Sequence, residues 1–117
     1  MSELIPKRIV QTGKSRDLPL LQQAVVTNVR LLHPEFEYRF YDDQHVTEFL
    51  AAEPPEHAET FAALPCPIQK IDFFRYLVIH RHGGFYLDLD VLLAAELDPL
   101  LNTGCVFSFE DLNISHY

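Results

Sequence analysis

The chain has 117 residues, of which 48% are hydrophobic, and carries a formal net charge of −8 at pH 7. This length suits one modest domain, and the apolar content is high enough to predict a folded chain with one core. The acidic balance argues against a nucleic-acid or anionic-membrane surface, because such partners are held through clusters of basic residues. No segment approaches the ~18 apolar residues of a membrane span, and none has a signal-peptide pattern, so we expect a cytoplasmic protein.

The first segments along the chain read as a strand followed by a helix. Residues 7–12 (KRIVQT) are predicted to form a short strand, which Gly13 ends. Residues 19–34 carry apolar side chains at helical spacing and end at a proline, which predicts a helix.

Cys66 and Cys105 are too few and too far apart for a zinc knuckle or a disulfide framework, so we expect buried free thiols.

A second strand and two short helices are predicted next. Residues 36–43 (FEYRFYDD) mainly alternate aromatic with charged side chains, which predicts a strand ending at residues 42–43. An acidic helix is expected over residues 43–53, where two prolines break it, and another helix over residues 56–64.

The best-marked element is a helix predicted over residues 67–84 (PIQKIDFFRYLVIHRHGG). Pro67 suits the first helical position, and Gly83 suits a left-handed cap after a cationic last turn. Apolar residues cover most of its surface, so we expect this helix to be largely buried. A strand is expected directly after it, over residues 85–93 (FYLDLDVLL).

The order of these elements predicts an α/β domain with a largely parallel sheet flanked by helices. A turn at residues 98–99 and a last strand over residues 105–111 would complete the order. Sheets of this kind bind ligands beyond the carboxyl ends of their strands. Residues 42–43, Asp88 and Asp90 are all expected at such ends.

Asp88 and Asp90 stand two residues apart in an otherwise apolar segment. In a strand, side chains two apart share one face, so the two carboxylates would converge. Converging carboxylates can hold a hard divalent cation such as Mg²⁺ or Mn²⁺. The alternative is a strand end with two solvated acids, because isolated D-x-D triplets are common.

Asp72 and Arg75 lie three apart on one face of the predicted helix 67–84. They could simply pair with each other. At the sheet edge they would instead bind an oxygen-rich ligand, because aspartate accepts hydrogen bonds from hydroxyls and arginine donates a fork to oxygen. Together with Asp88 and Asp90, they predict one polar site within a largely apolar part of the chain.

Four segments carry a resemblance to a known family: IPKRIVQTG, YRFYDD, QKIDFFRYLVIHRHGGFYLDLDV and FSFED, in this order. The sequence resembles glycosyltransferases with a DXD-containing sugar-binding region, which include the family-32, capsular-polysaccharide and mannosyltransferase-like enzymes. The D-x-D segment alone also resembles the first motif of haloacid-dehalogenase phosphatases, although that motif usually closes the first strand of its fold.

The glycosyltransferase resemblance implies a GT-A fold, in which a Rossmann-like, mostly parallel sheet is flanked by helices. It implies transfer of a sugar from a nucleotide-diphosphate donor (UDP- or GDP-sugar) to a saccharide or other acceptor, with retention of anomeric configuration. It also implies a divalent cation, Mn²⁺ or Mg²⁺, as cofactor.

The same resemblance assigns residues to the site. Asp90 would ligate the metal, and Asp88 would reach both the donor and the metal; these two are the candidate catalytic and metal-binding residues. The candidate donor-binding residues are Asp72, Arg75, Gln11, Thr12 and Tyr86.

We expect residues 1–117 to form one donor-binding domain that lacks the C-terminal part of the family's fold. Few helices remain to cover both faces of the sheet, so we expect an exposed apolar face and an exposed strand edge. Such surfaces predict self-association or a partner chain. A module that binds a nucleotide sugar without turnover, or an inactive fragment, is the alternative to an active transferase.

Overall fold

The structure, a computed structural model, describes residues 4–106 and is built on a three-stranded sheet. Both outer strands pair in parallel with the central one, and the order is β2-β1-β3. The strands are β1 (Arg8–Thr12), β2 (Glu37–Tyr41) and β3 (Phe85–Tyr86). The predicted α/β class and parallel sheet are therefore confirmed.

Within residues 4–106, four helices connect the strands, and each matches a predicted helix to within a few residues. They are α1 (Leu20–Leu32), α2 (Asp43–Ala51), α3 (Pro55–Ala63) and α4 (Pro67–His82). A 3-10 turn over Asp98–Leu100 lies where a turn was predicted. None of the helices in this part of the chain combines the length and the apolar character that a bilayer span requires.

The core lies on both faces of β1. Ile9 packs with Val29 of α1 on one face, and Val10 packs with Phe74 and Val78 of α4 on the other. Consecutive strand residues point to opposite faces, so a central strand of apolar residues needs a layer on each side. Helix α1 provides one layer, and the helices α2, α3 and α4 provide the other.

The expectation of an uncovered apolar sheet face is therefore wrong for residues 4–106. The exposed large apolar side chains lie on helices and loops instead; they are Leu4, Leu20, Leu21, Leu31, Ile68, Tyr76, Val91, Leu92 and Val106. In the three-stranded sheet described, β2 and β3 each keep one edge without a strand neighbour, as expected. Self-association stays a prediction.

Two predictions of burial are wrong. Helix α4 has only two buried residues, Phe74 and Val78, whereas Ile68 and Tyr76 are 76% and 68% exposed. Apolar composition around the whole helix did not produce burial, because only one side of α4 faces the sheet. Both cysteines are exposed rather than buried, since they lie in connecting segments outside the helices and strands.

Strand β3 is much shorter than predicted. It pairs with β1 only at Phe85 and Tyr86, and one further bond joins the Leu87 N–H to the Val10 carbonyl (3.0 Å). The chain then turns, and the Val91 N–H donates to the Asp88 carbonyl (3.2 Å). In this register the last residue of β1, Thr12, lies level with Asp88. The residues after Asp88 therefore have no part of β1 to pair with. The last predicted strand, residues 105–111, lies largely outside the described residues.

Two glycines let helix α4 end directly against β1. Gly83 has a φ of 72° and a ψ of −175°, so it departs from the left-handed helical cap that was predicted, although its N–H still donates to the Ile79 carbonyl (2.8 Å). Gly84 has a φ of 104°, and a Cβ atom there would lie 2.5 Å from the Arg8 carbonyl oxygen. A side chain at Gly84 would thus separate β3 from β1.

We predict that Gly84→Ala destabilises the fold by about 3 kcal/mol or more, because it combines backbone strain with a clash against main-chain atoms. Gly104→Ala is the matched control, since a Cβ atom there would meet nothing within 4 Å. Urea unfolding followed by circular dichroism measures both variants. Equal unfolding midpoints for the two would contradict the close approach at Gly84.

Candidate functional site

The carboxyl ends of β1 and β3 open onto a cleft. The chain passes from β1 through α1 to β2 on one side, and later through α4 to β3 on the other side of β1. This reversal leaves a crevice at the strand ends, where open α/β sheets bind ligands. The cleft measures about 530 Å³ and is lined by Thr12, Pro67, Ile68, Ile71, Asp72, Arg75, Tyr86 and Asp88.

Thr12 and Tyr86 meet at the strand ends. The parallel register places Tyr86 opposite Val10, two residues before Thr12, and both side chains lie on the α4 side of the sheet. The Thr12 Oγ1 and Tyr86 Oη atoms are 2.6 Å apart and share a hydrogen bond. Burial raises the pKa of the Tyr86 hydroxyl, so this group is neutral at physiological pH and keeps its proton for hydrogen bonding.

Helix α4 contributes Asp72 and Arg75 to one wall of the cleft. The Arg75 Nη2 atom donates to Asp88 Oδ1 at 2.8 Å and lies 3.6 Å from Asp72 Oδ1. The carbon of its guanidinium group lies 4.4 Å from the centroid of the Tyr86 ring, within the range of a cation–π contact. Arg75 is therefore not simply paired with Asp72; its shorter contact is with Asp88.

These charged side chains are solvent-accessible. The side chains of Asp72, Asp88 and Arg75 are 57%, 49% and 34% exposed, and ion pairs in such a setting contribute roughly 0–1 kcal/mol. The Arg75 Nε atom, in contrast, is buried and has no hydrogen-bond partner among the described residues. An unsatisfied buried donor opposes folding, so the arrangement is better suited to a ligand than to stability.

Gln11 does not line the cleft. Its side chain is fully buried, and its Oε1 atom accepts a hydrogen bond from the Tyr38 hydroxyl (2.8 Å). Tyr38 packs against the core on the α1 side, so Gln11 points away from Thr12. The structure separates these two predicted donor-binding residues, and alternation along β1 was the signal that could have separated them.

Asp90 also lies outside the residues that line the cleft. It occupies the turn after Asp88, where its side chain is exposed and forms no ion pair with any residue of 4–106. The predicted sharing of one strand face is wrong, because β3 has ended before either aspartate. The metal-binding role of both residues stays a prediction.

The aspartates after β2 belong to the next helix. Asp42 caps α2, and its carboxylate accepts a hydrogen bond from the His45 N–H (2.8 Å), which lowers the pKa of Asp42. Asp43 is the first residue of α2. Although both lie at the carboxyl end of a strand, as expected, neither lines the cleft.

Three apolar residues of the cleft were not predicted as site residues. Pro67, Ile68 and Ile71 line it beside Asp72 and Arg75. The signal for the isoleucines was available, since helical periodicity puts them on the face of α4 that carries Asp72 and Arg75. The cleft therefore has an apolar side as well as a charged one.

The described residues do not by themselves form a metal site. Residues 4–106 contain no group of three or more His, Cys, Asp or Glu side chains placed to hold a metal ion. Asp88 and Asp90 are nevertheless hard oxygen donors, which fits Mg²⁺ or Mn²⁺ provided that a ligand and water complete the coordination.

Residues 19–107 match the family described as glycosyltransferase sugar-binding region containing DXD motif. The chain belongs to this glycosyltransferase family. The match favours the glycosyltransferase resemblance over the phosphatase one, and the α/β sheet with its parallel strands agrees with part of a GT-A, Rossmann-like domain.

Several curated relatives that the chain matches are named as mannosyltransferases, and others are named as mannosyl phosphorylinositol ceramide synthases. Inositol phosphoceramide mannosyltransferase 3 of Schizosaccharomyces pombe is 37% identical over 101 residues, which cover 86% of this chain and 28% of that protein. Mannosyl phosphorylinositol ceramide synthase SUR1 of Saccharomyces cerevisiae is 37% identical over 99 residues, covering 85% of this chain and 26% of that protein. The initiation-specific alpha-1,6-mannosyltransferase of S. pombe is 33% identical over 92 residues, which cover 74% of this chain and 23% of that protein.

The chain spans just over a quarter of the length of the first two relatives. No solved structure matches it significantly.

We predict that Asp72→Asn and Asp88→Asn each change the free energy of unfolding of this chain by less than about 1 kcal/mol, because the ion pairs are exposed. Val78→Ala, which truncates a fully buried side chain of α4, should cost about 1–3 kcal/mol and is the positive control. Chemical denaturation measures all three variants. A loss of about 3–5 kcal/mol in either aspartate variant would instead indicate a buried, structural ion pair.

Proposed function

We propose that the cleft binds a nucleotide-diphosphate sugar and that the chain serves transfer of the sugar, by its relatives' names a mannosyl group, to a saccharide or other acceptor. The observation that carries this proposal is the meeting of Asp72, Arg75, Tyr86 and Asp88 in one cleft at the strand ends of a chain from this family. Its volume falls within the roughly 300–1,000 Å³ of small-molecule sites.

Each charged side chain has a role suited to its chemistry. Arg75 donates a planar fork of N–H groups to oxygens of the diphosphate or sugar, and Asp72 accepts hydrogen bonds from sugar hydroxyls. The two are three residues apart on one helix, so they can hold a single ligand between them. Fixing the sugar in this way aligns the bond that breaks with the incoming acceptor.

The charge of the cleft supports a role for a cation. Among the described residues that line it, Arg75 carries the only positive charge, against Asp72 and Asp88. A diphosphate would meet a net negative lining, which disfavours its binding unless positive charge is added. Mn²⁺ or Mg²⁺ on Asp90 and Asp88 would supply that charge and would also neutralise the departing diphosphate.

The proposal includes two finer points that rest on the family resemblance alone. One is retention of anomeric configuration; the other is the choice of UDP or GDP as the nucleotide. The alternative function is a module that binds the nucleotide sugar without turnover, since the cleft supplies donor-side groups in either case. The cytoplasmic location expected from the sequence also stays a proposal.

We predict that Mn²⁺ binds the chain weakly alone and at least about tenfold more tightly with GDP or UDP present, because the diphosphate completes its coordination. Asp90→Asn should abolish this enhancement while leaving the circular dichroism spectrum unchanged. Glu59→Gln removes an exposed carboxylate of α3, outside the cleft, and is the control. Enhancement that persists in Asp90→Asn would refute its assignment as the metal ligand.

We also expect slow, Mn²⁺-dependent hydrolysis of one member of a panel of GDP- and UDP-sugars. Hydrolysis needs only the donor-side groups, so it is the minimal reaction of this cleft. Asp88→Asn should reduce the rate at least about tenfold, corresponding to about 1.4 kcal/mol of lost transition-state stabilisation. Tight binding of a nucleotide sugar without hydrolysis would favour the binding module, and absence of binding would refute the proposed function.

A further inference from the structure

The Arg75 side chain lines the cleft and donates a hydrogen bond to Asp88. Its Nη2 atom donates to Asp88 Oδ1 at 2.8 Å, whereas Asp72 Oδ1 is 0.8 Å farther from the same nitrogen, 3.6 Å against 2.8 Å. Asp88 is one of the two carboxylates that the family resemblance assigns to a divalent cation. An arginine and a divalent cation on one carboxylate repel each other, so each weakens the hold of the other.

Arg75 makes a second contact, with the ring of Tyr86. Its guanidinium carbon lies 4.4 Å from the centroid of the Tyr86 ring, and the Tyr86 hydroxyl is bonded to the Thr12 hydroxyl at 2.6 Å. Thr12 belongs to the central strand of the sheet. The ring of Tyr86 is therefore fixed at its hydroxyl end by a rigid element, and it presents one face to the arginine.

The resting contact does not satisfy Arg75 fully. Its Nε atom is buried without a hydrogen-bond partner among the described residues. A guanidinium group has five N–H donors, and an anionic ligand with several oxygens can engage more of them than Asp88 does. Such a ligand would draw the guanidinium group away from Asp88.

We propose that Thr12 and Tyr86 are positioning residues that hold Arg75 on Asp88, and that Arg75 keeps a divalent cation off Asp88 until an anionic ligand engages the guanidinium group. This inference rests on the proposed function and adds an order to it. Binding of the anion frees Asp88 for the cation, so the two ligands strengthen each other's binding through a protein side chain.

The first test removes the arginine. In titrations without nucleotide, followed by the electron paramagnetic resonance signal of free Mn²⁺, Arg75→Gln should bind Mn²⁺ up to about fivefold more tightly than the wild-type chain, as loss of an exposed ion pair allows. Adding Asp88→Asn to Arg75→Gln should cancel the gain in Mn²⁺ affinity, which would show that the gain arises at Asp88. Unchanged or weaker binding by Arg75→Gln would overturn the inference.

The second test keeps the charge of Arg75 and removes the hydrogen bond between Thr12 and Tyr86. Thr12→Val and Tyr86→Phe each remove one hydroxyl of the shared hydrogen bond, and each should tighten Mn²⁺ binding about threefold. The double variant should gain no more than either single one, because the two residues share one bond. Thr12→Ser restores the hydroxyl and should behave as the wild type.

Two further results separate the explanations. Tyr76→Phe removes an exposed hydroxyl from the same helix as Arg75 and should leave Mn²⁺ binding unchanged. If Arg75→Gln binds Mn²⁺ more tightly but Thr12→Val and Tyr86→Phe do not, the arginine acts through its charge alone and the positioning role is overturned.

Failure of this inference can be told from failure of the proposed function. If GDP and UDP enhance Mn²⁺ binding to the wild-type chain and Arg75→Gln shows no gain alone, only the inference fails. If neither nucleotide enhances Mn²⁺ binding but Arg75→Gln still gains, the proposed donor is contradicted and the contact of Arg75 with Asp88 is supported. Thermal melts by circular dichroism confirm that each variant is folded.

Discussion

Because strand β1 is buried on both faces, it determines where the other elements of the structure lie. Ile9 and Val10 point to opposite sides and are 1% and 0% exposed, so each requires its own layer of helices. Helix α1 forms one layer, and α2, α3 and α4 form the other. The approach of Gly84 to the main chain of Arg8 then brings β3 beside β1 at the end of α4. These constraints together produce the crevice at the strand ends.

The cleft explains how charged residues can occur within apolar segments of the sequence. Asp88 follows a segment whose first residue, Phe85, is buried, but the chain leaves the sheet before the carboxylate. Placing the side chain at the solvent-accessible end of the strand avoids the free-energy cost of burying a charge, while the strand still fixes its location. Arg75 reaches the same point from α4. The charged side chains thus lie together at a solvent-accessible position, where a ligand can bind them.

One arginine has to serve several partners in this cleft. Arg75 contacts Asp88 and the Tyr86 ring and lies near Asp72. It is also the residue that we propose binds the anionic donor. When several groups compete for one side chain, a ligand that binds this side chain changes how strongly the other groups bind their own ligands. Electrostatic order in ligand binding can therefore arise from a single side chain without any movement of the sheet.

The sequence by itself determined the helices, β1 and β2, and the grouping of Asp72 with Arg75, because apolar spacing and the glycines and prolines that interrupt it are local properties. Its motifs also indicated the glycosyltransferase family. Only the tertiary structure decided that β3 has two residues, since that length depends on where the neighbouring strand ends. Alternation along β1 already puts Gln11 and Thr12 on opposite faces, but only the tertiary structure decided which of the two faces the cleft. Finally, it decided that Arg75 bonds Asp88, thirteen residues away, because that contact exists only once α4 and β3 are packed beside β1.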